Sequence, residues 1–272
     1  MATVGAFVRA CHPEPTVAVT ALATALAASA GQGRASAVVG VAFLSGQLSV
    51  GWSNDWLDAA RDRRSQRSDK PVSRGEVSPQ ALRTAALLAV GACVPLSFAM
   101  GLLAGTTHLV AVAAAWAYNA RLKGTALSFA PYALAFGLVP SIVTLGLDGH
   151  PWAPPWATAA GALLGVGAHL ANVLPDIDDD LANGIRGLPH RLGRSASAAL
   201  SAVLLLGATT ALTFGPGAPN AARAAALVLA AVVTTGGLLL ARRPGSRAAF
   251  RAVLVVAAVD VALLVASGSS LA

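Results

Sequence analysis

Nine blocks of apolar residues, separated by short polar stretches, take up nearly all of the chain's 272 positions. No other feature constrains the fold as strongly. A run of roughly 20 apolar residues is what one helix needs to cross about 30 Å of hydrocarbon, where every backbone polar group must be satisfied internally. The blocks place spans at residues 16–30, 35–52, 81–103, 106–118, 127–147, 156–174, 197–214, 221–241 and 248–267. The first and fourth are short for a crossing. A secretory leader competes for the first, because Arg9 precedes an apolar run ending in the small residues Ala28, Ser29 and Ala30. The eight later spans make a cleaved leader unnecessary. With 56% apolar and 11% charged residues and a mean hydropathy of +0.66, the chain has too little polar surface to cover a soluble globule. The expectation is an all-α integral membrane protein, with residues 1–272 forming a single polytopic membrane domain. Cys11 and Cys93 are too few and too far apart for a disulfide framework and have no metal-type spacing.

Basic residues in short loops set topology. A cytoplasmic N-terminus puts 17 of the 19 Lys and Arg residues on the cytoplasmic side. They are Arg9; Arg61, Arg63, Arg64, Arg67, Lys70, Arg74 and Arg83; Arg121 and Lys123; Arg186, Arg191 and Arg194; and Arg242, Arg243, Arg247 and Arg251. Only Arg34 and Arg223 fall outside. The net charge of +7 is therefore a topology signal, not a nucleic-acid footprint, although a basic face also favours anionic lipid or a phosphorylated substrate. Nine spans leave the C-terminus outside.

The acidic residues carry the chemistry. Only 12 Asp and Glu occur, and seven of them gather in two stretches, each at the cytoplasmic end of a span. The first runs from Asn54 to Asp62, with acids at Asp55, Asp58 and Asp62; at about 100° per residue these lie within a narrow arc of one helix face. The second reads Asp176-Ile177-Asp178-Asp179-Asp180. Immediately after the sixth span and at the same helical spacing, Asp176 and Asp180 share a face with His169 and Asn172, Asp179 lies nearby and Asp178 points away. Carboxylates stacked at this spacing repel one another, and near a bilayer each is expensive, about 2.5 to 3.5 kcal/mol at full depth. A solvated acidic end paired with neighbouring arginines explains one such cluster; two equivalent clusters in a chain otherwise poor in acids call for cations between them. Oxygen ligands without Cys or paired His favour Mg²⁺, which completes its shell with water and substrate phosphates.

The two stretches also look like copies. Both follow even-numbered spans, four spans apart, and each is followed by a basic turn: Lys70-Pro71-Val72-Ser73-Arg74-Gly75 after the first, Ile185-Arg186-Gly187-Leu188-Pro189 after the second. A parallel repeat of this kind lets two metal-binding helix ends face each other across a central cavity, a site type that helical bundles build readily.

On these motifs the chain resembles the UbiA-type intramembrane prenyltransferases, over essentially its whole length. Asn54, Asp55, Asp58 and Asp62 match that family's Asn-Asp-x-x-Asp-x-x-x-Asp signature, and Asp176 and Asp180 match its Asp-x-x-x-Asp. Lys70-Pro71 with Gly75, the segment 176–193 with Gly184 and Leu188-Pro189, and Tyr118-Asn119-Ala120-Arg121-Leu122-Lys123 are similar to further family elements.

The resemblance implies about nine transmembrane helices around a central cavity, with aspartate-rich cytoplasmic segments at 54–78 and 172–194. It implies catalysis through Asp55, Asp58, Asp62, Asp176 and Asp180, with Asn54 and Asp179 as supporting metal ligands. Two Mg²⁺ ions and a prenyl diphosphate are the implied cofactor and substrate. Asn54, Lys70, Arg74, Tyr118, Arg121, Lys123 and Arg186 are the implied diphosphate contacts, against a plainer role for the basic and aromatic residues as interfacial anchors. The implied reaction is prenyl transfer to an acceptor, an aromatic ring or quinone precursor before a porphyrin or lipid headgroup. A membrane terpene cyclase and a multi-span transporter or Mg²⁺ pore are the competing readings; transporter sites lie nearer the midplane, often between inverted repeats.

Asp260, inside the last span, reads as a structural hydrogen-bonding group or a substrate contact, and His169 as an acceptor contact or a buried, satisfied histidine. Trp152 and Trp156 beside Pro151, Pro154 and Pro155 read as an interfacial anchor. Arginine greatly outnumbering lysine, with abundant alanine, points to a high-GC bacterial source and a bacterial inner membrane.

Overall fold

The structure, a computed structural model, describes residues 3–64, 70–240 and 248–271. Among the expectations above, Arg67, Arg242, Arg243 and Arg247 and the end of the eighth span at residue 241 lie outside these residues. Among the described residues there is no strand. The helices are α1 (Val4–Ala10), α2 (Pro13–Ser29), α3 (Ser36–Arg64), α4 (Pro79–Phe98), α5 (Leu102–Ala120), α6 (Ala130–Thr144), α7 (Pro155–Val173), α8 (Ile177–Ala182), α9 (Leu188–Leu192), α10 (Arg194–Phe214), α11 (Ala221–Leu240) and α12 (Ala248–Ala266).

The apolar blocks coincide with α2 to α7 and α10 to α12, but boundaries move where backbone chemistry intervenes. The third block ends early because Gly101 takes a φ of 103°, open to glycine, and stops the chain between α4 and α5. The fourth is accordingly longer than expected. Pro79, Pro131 and Pro155 stand at the first or second positions of α4, α6 and α7, where the missing N–H costs nothing. Four stretches are by length and composition sufficient to cross a membrane: Gly33–Arg64, Pro79–Phe98, Pro155–Ala182 and Arg194–Phe214.

Each helix packs on its chain neighbour, α2 on α3, α5 on α6, α6 on α7 and α7 on α10, and α12 returns to α2, so the helices close into a ring. Leu26, Val39, Phe43, Ile142, Val143 and Leu264 fill its interior. Large apolar side chains remain on the outside, among them Leu88 at 69%, Leu102 at 74% and Val232 at 64% exposure. A water-soluble chain does not leave such a belt uncovered, and lipid accounts for it. This is an integral membrane protein.

Small residues let backbones approach where the site is built. A Cβ on Gly165 of α7 would stand 2.6 Å from the Tyr132 carbonyl oxygen and 2.7 Å from Phe136 Cβ of α6. A Cβ on Gly51 of α3 would collide with the backbone of Cys11, so this glycine admits the α1–α2 corner against α3. Trp52 Nε1 donates to the Phe7 carbonyl at 2.9 Å and fastens the same corner. Asp260 is fully buried on α12 with its Oδ1 2.6 Å from Thr209 Oγ1 of α10. It does not line the polar cavity described below, and of its two expected roles the structural one matches this contact.

Candidate functional site

The acid face of the first stretch is a direct product of helix geometry. Helix α3 runs unbroken for 29 residues, 12 beyond the expected end of its span, so spacings of three and four put Asp55, Asp58 and Asp62 on one side. All three are buried, with Asp55 at 0% exposure. The second stretch is built differently. Helix α7 stops at Val173, a single 3-10 turn carries Leu174, Pro175 and Asp176, and α8 begins at Ile177. Pro175 has no N–H to continue the ladder, so the continuous helix expected here is replaced by a kink, and the two stretches are not structural copies. The expected grouping survives the kink: His169, Asn172, Asp176 and Asp180 all line the same cavity.

That cavity joins the two rows of acids. Asn54, Asp58 and Asp62 line it from α3, and Asp176 and Asp180 face them. Basic side chains from separate segments pair with these acids. Lys123, in the 3-10 turn Leu122–Gly124 after α5, donates to Asp58 Oδ1, and Arg61 pairs with the other oxygen of Asp58. Lys70 donates to Asp55 Oδ1 at 2.7 Å, and His12 Nε2 stands 2.9 Å from that oxygen and 3.0 Å from Lys70 Nζ. His190 Nε2 stands 3.1 Å from Asp180 Oδ2. Burial pulls the Lys123 ammonium below its usual range against the opposing pull of Asp58, which marks a cation held in a poorly solvated place. Tyr118 also lines the cavity, its ring 5.6 Å from His169 and 5.1 Å from Tyr132, edge-on to both.

Other expected residues are left outside. Asp179 is exposed and absent from the cavity wall; Asp178 points away, as expected, and pairs with Arg194 at 2.8 Å. Arg74 pairs with Glu76 at 2.9 Å, and Arg121 and Arg186 are exposed, so none of these three reaches the cavity. Conversely, His12, Arg61, Asn183 and His190 line it without having been singled out from sequence. His12 lies 43 positions from Asp55, and nothing in the spacing links them. Only the local string Leu188-Pro189-His190, following an acid-rich turn, hints at the fourth.

A divalent cation suits this donor set. The acids offer hard oxygen ligands; Asp55 lies fully buried behind the cavity wall and does not line it, and its Oδ2 has no hydrogen-bond partner among the described residues. Among those residues no three His, Cys, Asp or Glu side chains already converge on one point; Lys70, Lys123, Arg61 and His190 pair with the carboxylates instead.

Fold and site together define an integral membrane helical ring with a charged cavity at one end. The model of the UbiA prenyltransferase family matches residues 16–267, and the chain belongs to that family. A UbiA homolog from Archaeoglobus fulgidus bound to GPP and Mg²⁺ superposes with a TM-score of 0.69, at 17% identity over 96% of this chain and 99% of that one. The apo structure of a UbiA homolog from Aeropyrum pernix K1 gives 0.69 at 21% identity, over 91% and 97%. A structure of digeranylgeranylglyceryl phosphate synthase gives 0.68 at 14% identity over the whole of both chains. No curated protein sequence matches the chain.

Proposed function

We propose that this protein transfers a prenyl group from an allylic prenyl diphosphate to an acceptor within the membrane, an aromatic or quinone-precursor ring being favoured. The observation that carries the reading is one cavity lined by Asp58 and Asp62 of α3, by Asp176 and Asp180 of the second acidic stretch, and by Lys70 and Lys123. Asp55, Asp58, Asp62, Asp176 and Asp180 would hold two Mg²⁺ ions, with Asn54 supporting. Magnesium bound with the diphosphate supplies positive charge to the leaving group, which eases breakage of the allylic C–O bond. Support comes from the fold relatives whose structures hold GPP or DMAPP with Mg²⁺.

Lys70 and Lys123 sit where they can turn from carboxylates to diphosphate oxygens. Tyr118 closes the inner wall of the polar cavity, beyond which the apolar ring stores the isoprenoid tail and keeps water from the allylic cation. The acceptor attacks C1 of the prenyl group as diphosphate departs. In this reading the nine long helices all cross a bacterial inner membrane as one polytopic domain, with the N-terminus and the charged cavity cytoplasmic and the C-terminus outside.

The test is diphosphate release by purified protein given GPP and Mg²⁺, with lipid-soluble products identified by mass spectrometry. Release that stops with a chelator, resumes with added Mg²⁺ and accompanies a prenylated acceptor supports the proposal. A hydrocarbon product formed without acceptor favours the cyclase, and no diphosphate release at all removes the enzyme reading.

A further inference from the structure

His169 is 1% exposed, lines the charged cavity from α7, and has a nitrogen that nothing in the proposed ionisation uses. Its Nε2 stands 3.1 Å from Ser128 Oγ. That hydroxyl, itself fully buried in the turn before α6, accepts the Leu188 backbone N–H at 2.9 Å. A serine hydroxyl has one hydrogen to give, and among the described residues His169 Nε2 is its only remaining partner. Ser128 therefore donates to Nε2, and the neutral imidazole carries its proton on Nδ1. Nδ1 is buried with no partner among the described residues. The ring cannot turn to find one, since it is stacked 4.5 Å from Tyr132 and flanked edge-on by Tyr118. A buried donor left without an acceptor is costly, about 1 to 3 kcal/mol, so an oxygen is expected to meet it when the cavity is filled.

His169 precedes Asp176 by seven positions, on the α7 side of the 3-10 turn, and so lies further toward the apolar interior than Asp176. That places it on the membrane side of Asp176 and Asp180, where in the prenyl-transfer reading C1 of the prenyl group would meet its acceptor. We infer that His169 is a specificity-determining residue whose Nδ1–H hydrogen-bonds an oxygen of the prenyl acceptor. The inference rests on the prenyl-transfer reading above and narrows it to acceptors that carry a carbonyl, hydroxyl or carboxylate oxygen. It also removes His169 as a general base, because Nε2 is occupied by Ser128 and Nδ1 already holds its proton.

The test uses the full chain in detergent with ¹⁵N-labelled histidine. The His169 signal, identified by its loss in His169→Asn, is expected to show a protonated Nδ1 and a bare Nε2, a preference that Ser128→Ala abolishes; an Nε2-protonated ring overturns the inference. Binding of GPP with Mg²⁺ is expected to change less than about twofold in His169→Ala. A tenfold loss there assigns the donor to the diphosphate ester oxygen instead and overturns the acceptor assignment. In a host expressing the protein, the prenylated product is expected to fall roughly tenfold with His169→Ala, and to recover in part with His169→Asn, whose amide nitrogen sits near the place of Nδ1. Unchanged yield of an oxygen-bearing product overturns the inference while leaving prenyl transfer intact. A hydrocarbon as the wild-type product overturns prenyl transfer itself.

Discussion

Lys123, in the turn after α5, donates a hydrogen bond to Asp58 at the centre of the α3 acid face, 65 positions earlier in the chain. The contact ties the α5–α6 turn to α3 and leaves a poorly solvated ammonium beside a carboxylate of the signature. Lys123→Met removes the charge and keeps the length of the side chain. The apparent KM for GPP is expected to rise about tenfold or more, since a charge-assisted contact contributes roughly 1.5 to 3 kcal/mol, with the acceptor's KM unchanged. Equal values for mutant and wild type would reduce Lys123 to an interfacial anchor.

Asp58→Ala and Asp180→Ala take one carboxylate from each facing row. Both are expected to abolish turnover, while the variants still insert and elute from a sizing column as the wild type does. Turnover near the normal rate in either variant would dismiss the assignment of these acids to the metal.

Four arginine and lysine positions separate site from surface. Arg74, Arg121 and Arg186 are exposed and outside the cavity, whereas Lys70 lines it and pairs with Asp55. Alanine at each arginine is expected to leave GPP affinity within about twofold, exposed ion pairs being worth roughly 0 to 1 kcal/mol. Lys70→Ala is expected to weaken it about tenfold. Isothermal titration with GPP and Mg²⁺ checks all four, and an arginine variant as impaired as Lys70→Ala would contradict the placement.

His12 reaches the cavity from the α1–α2 corner, which Gly51 admits. Gly51→Val is expected to push this corner off α3 and weaken GPP binding in the same direction as His12→Ala. Full binding by Gly51→Val would show that the corner does not position His12.

Gly165 sets the separation of α6 and α7. Gly165→Leu is expected to destabilise the fold by about 1 to 3 kcal/mol through overpacking, read as a lower detergent unfolding temperature. It also displaces the Tyr132–His169 stack, so a near-ultraviolet circular dichroism change should accompany it.

Much was readable without coordinates because periodicity and hydropathy are local. The nine apolar blocks become nine long helices among the described residues, and the spacing of Asp55, Asp58 and Asp62 alone puts them on one face. Asp176 and Asp180 were also legible as a pair, although the kink at Pro175 replaces the helix that suggested their common face. The residues that did not emerge from spacing are those brought in by loops and corners. His12 and His190 arrive from segments whose paths depend on how the chain turns, and Arg121 and Lys123, two positions apart, point to opposite fates, one exposed and one in the cavity.

Membrane class, helical architecture and the two acid rows follow from the order of residues, because lipid tolerates only internally bonded backbone and a helix fixes the angle between neighbours. Which cations pair with those rows, and which nitrogen of His169 is left without a partner among the described residues, were decided only in three dimensions. Both depend on contacts between positions tens of residues apart, and no local rule of spacing carries that information.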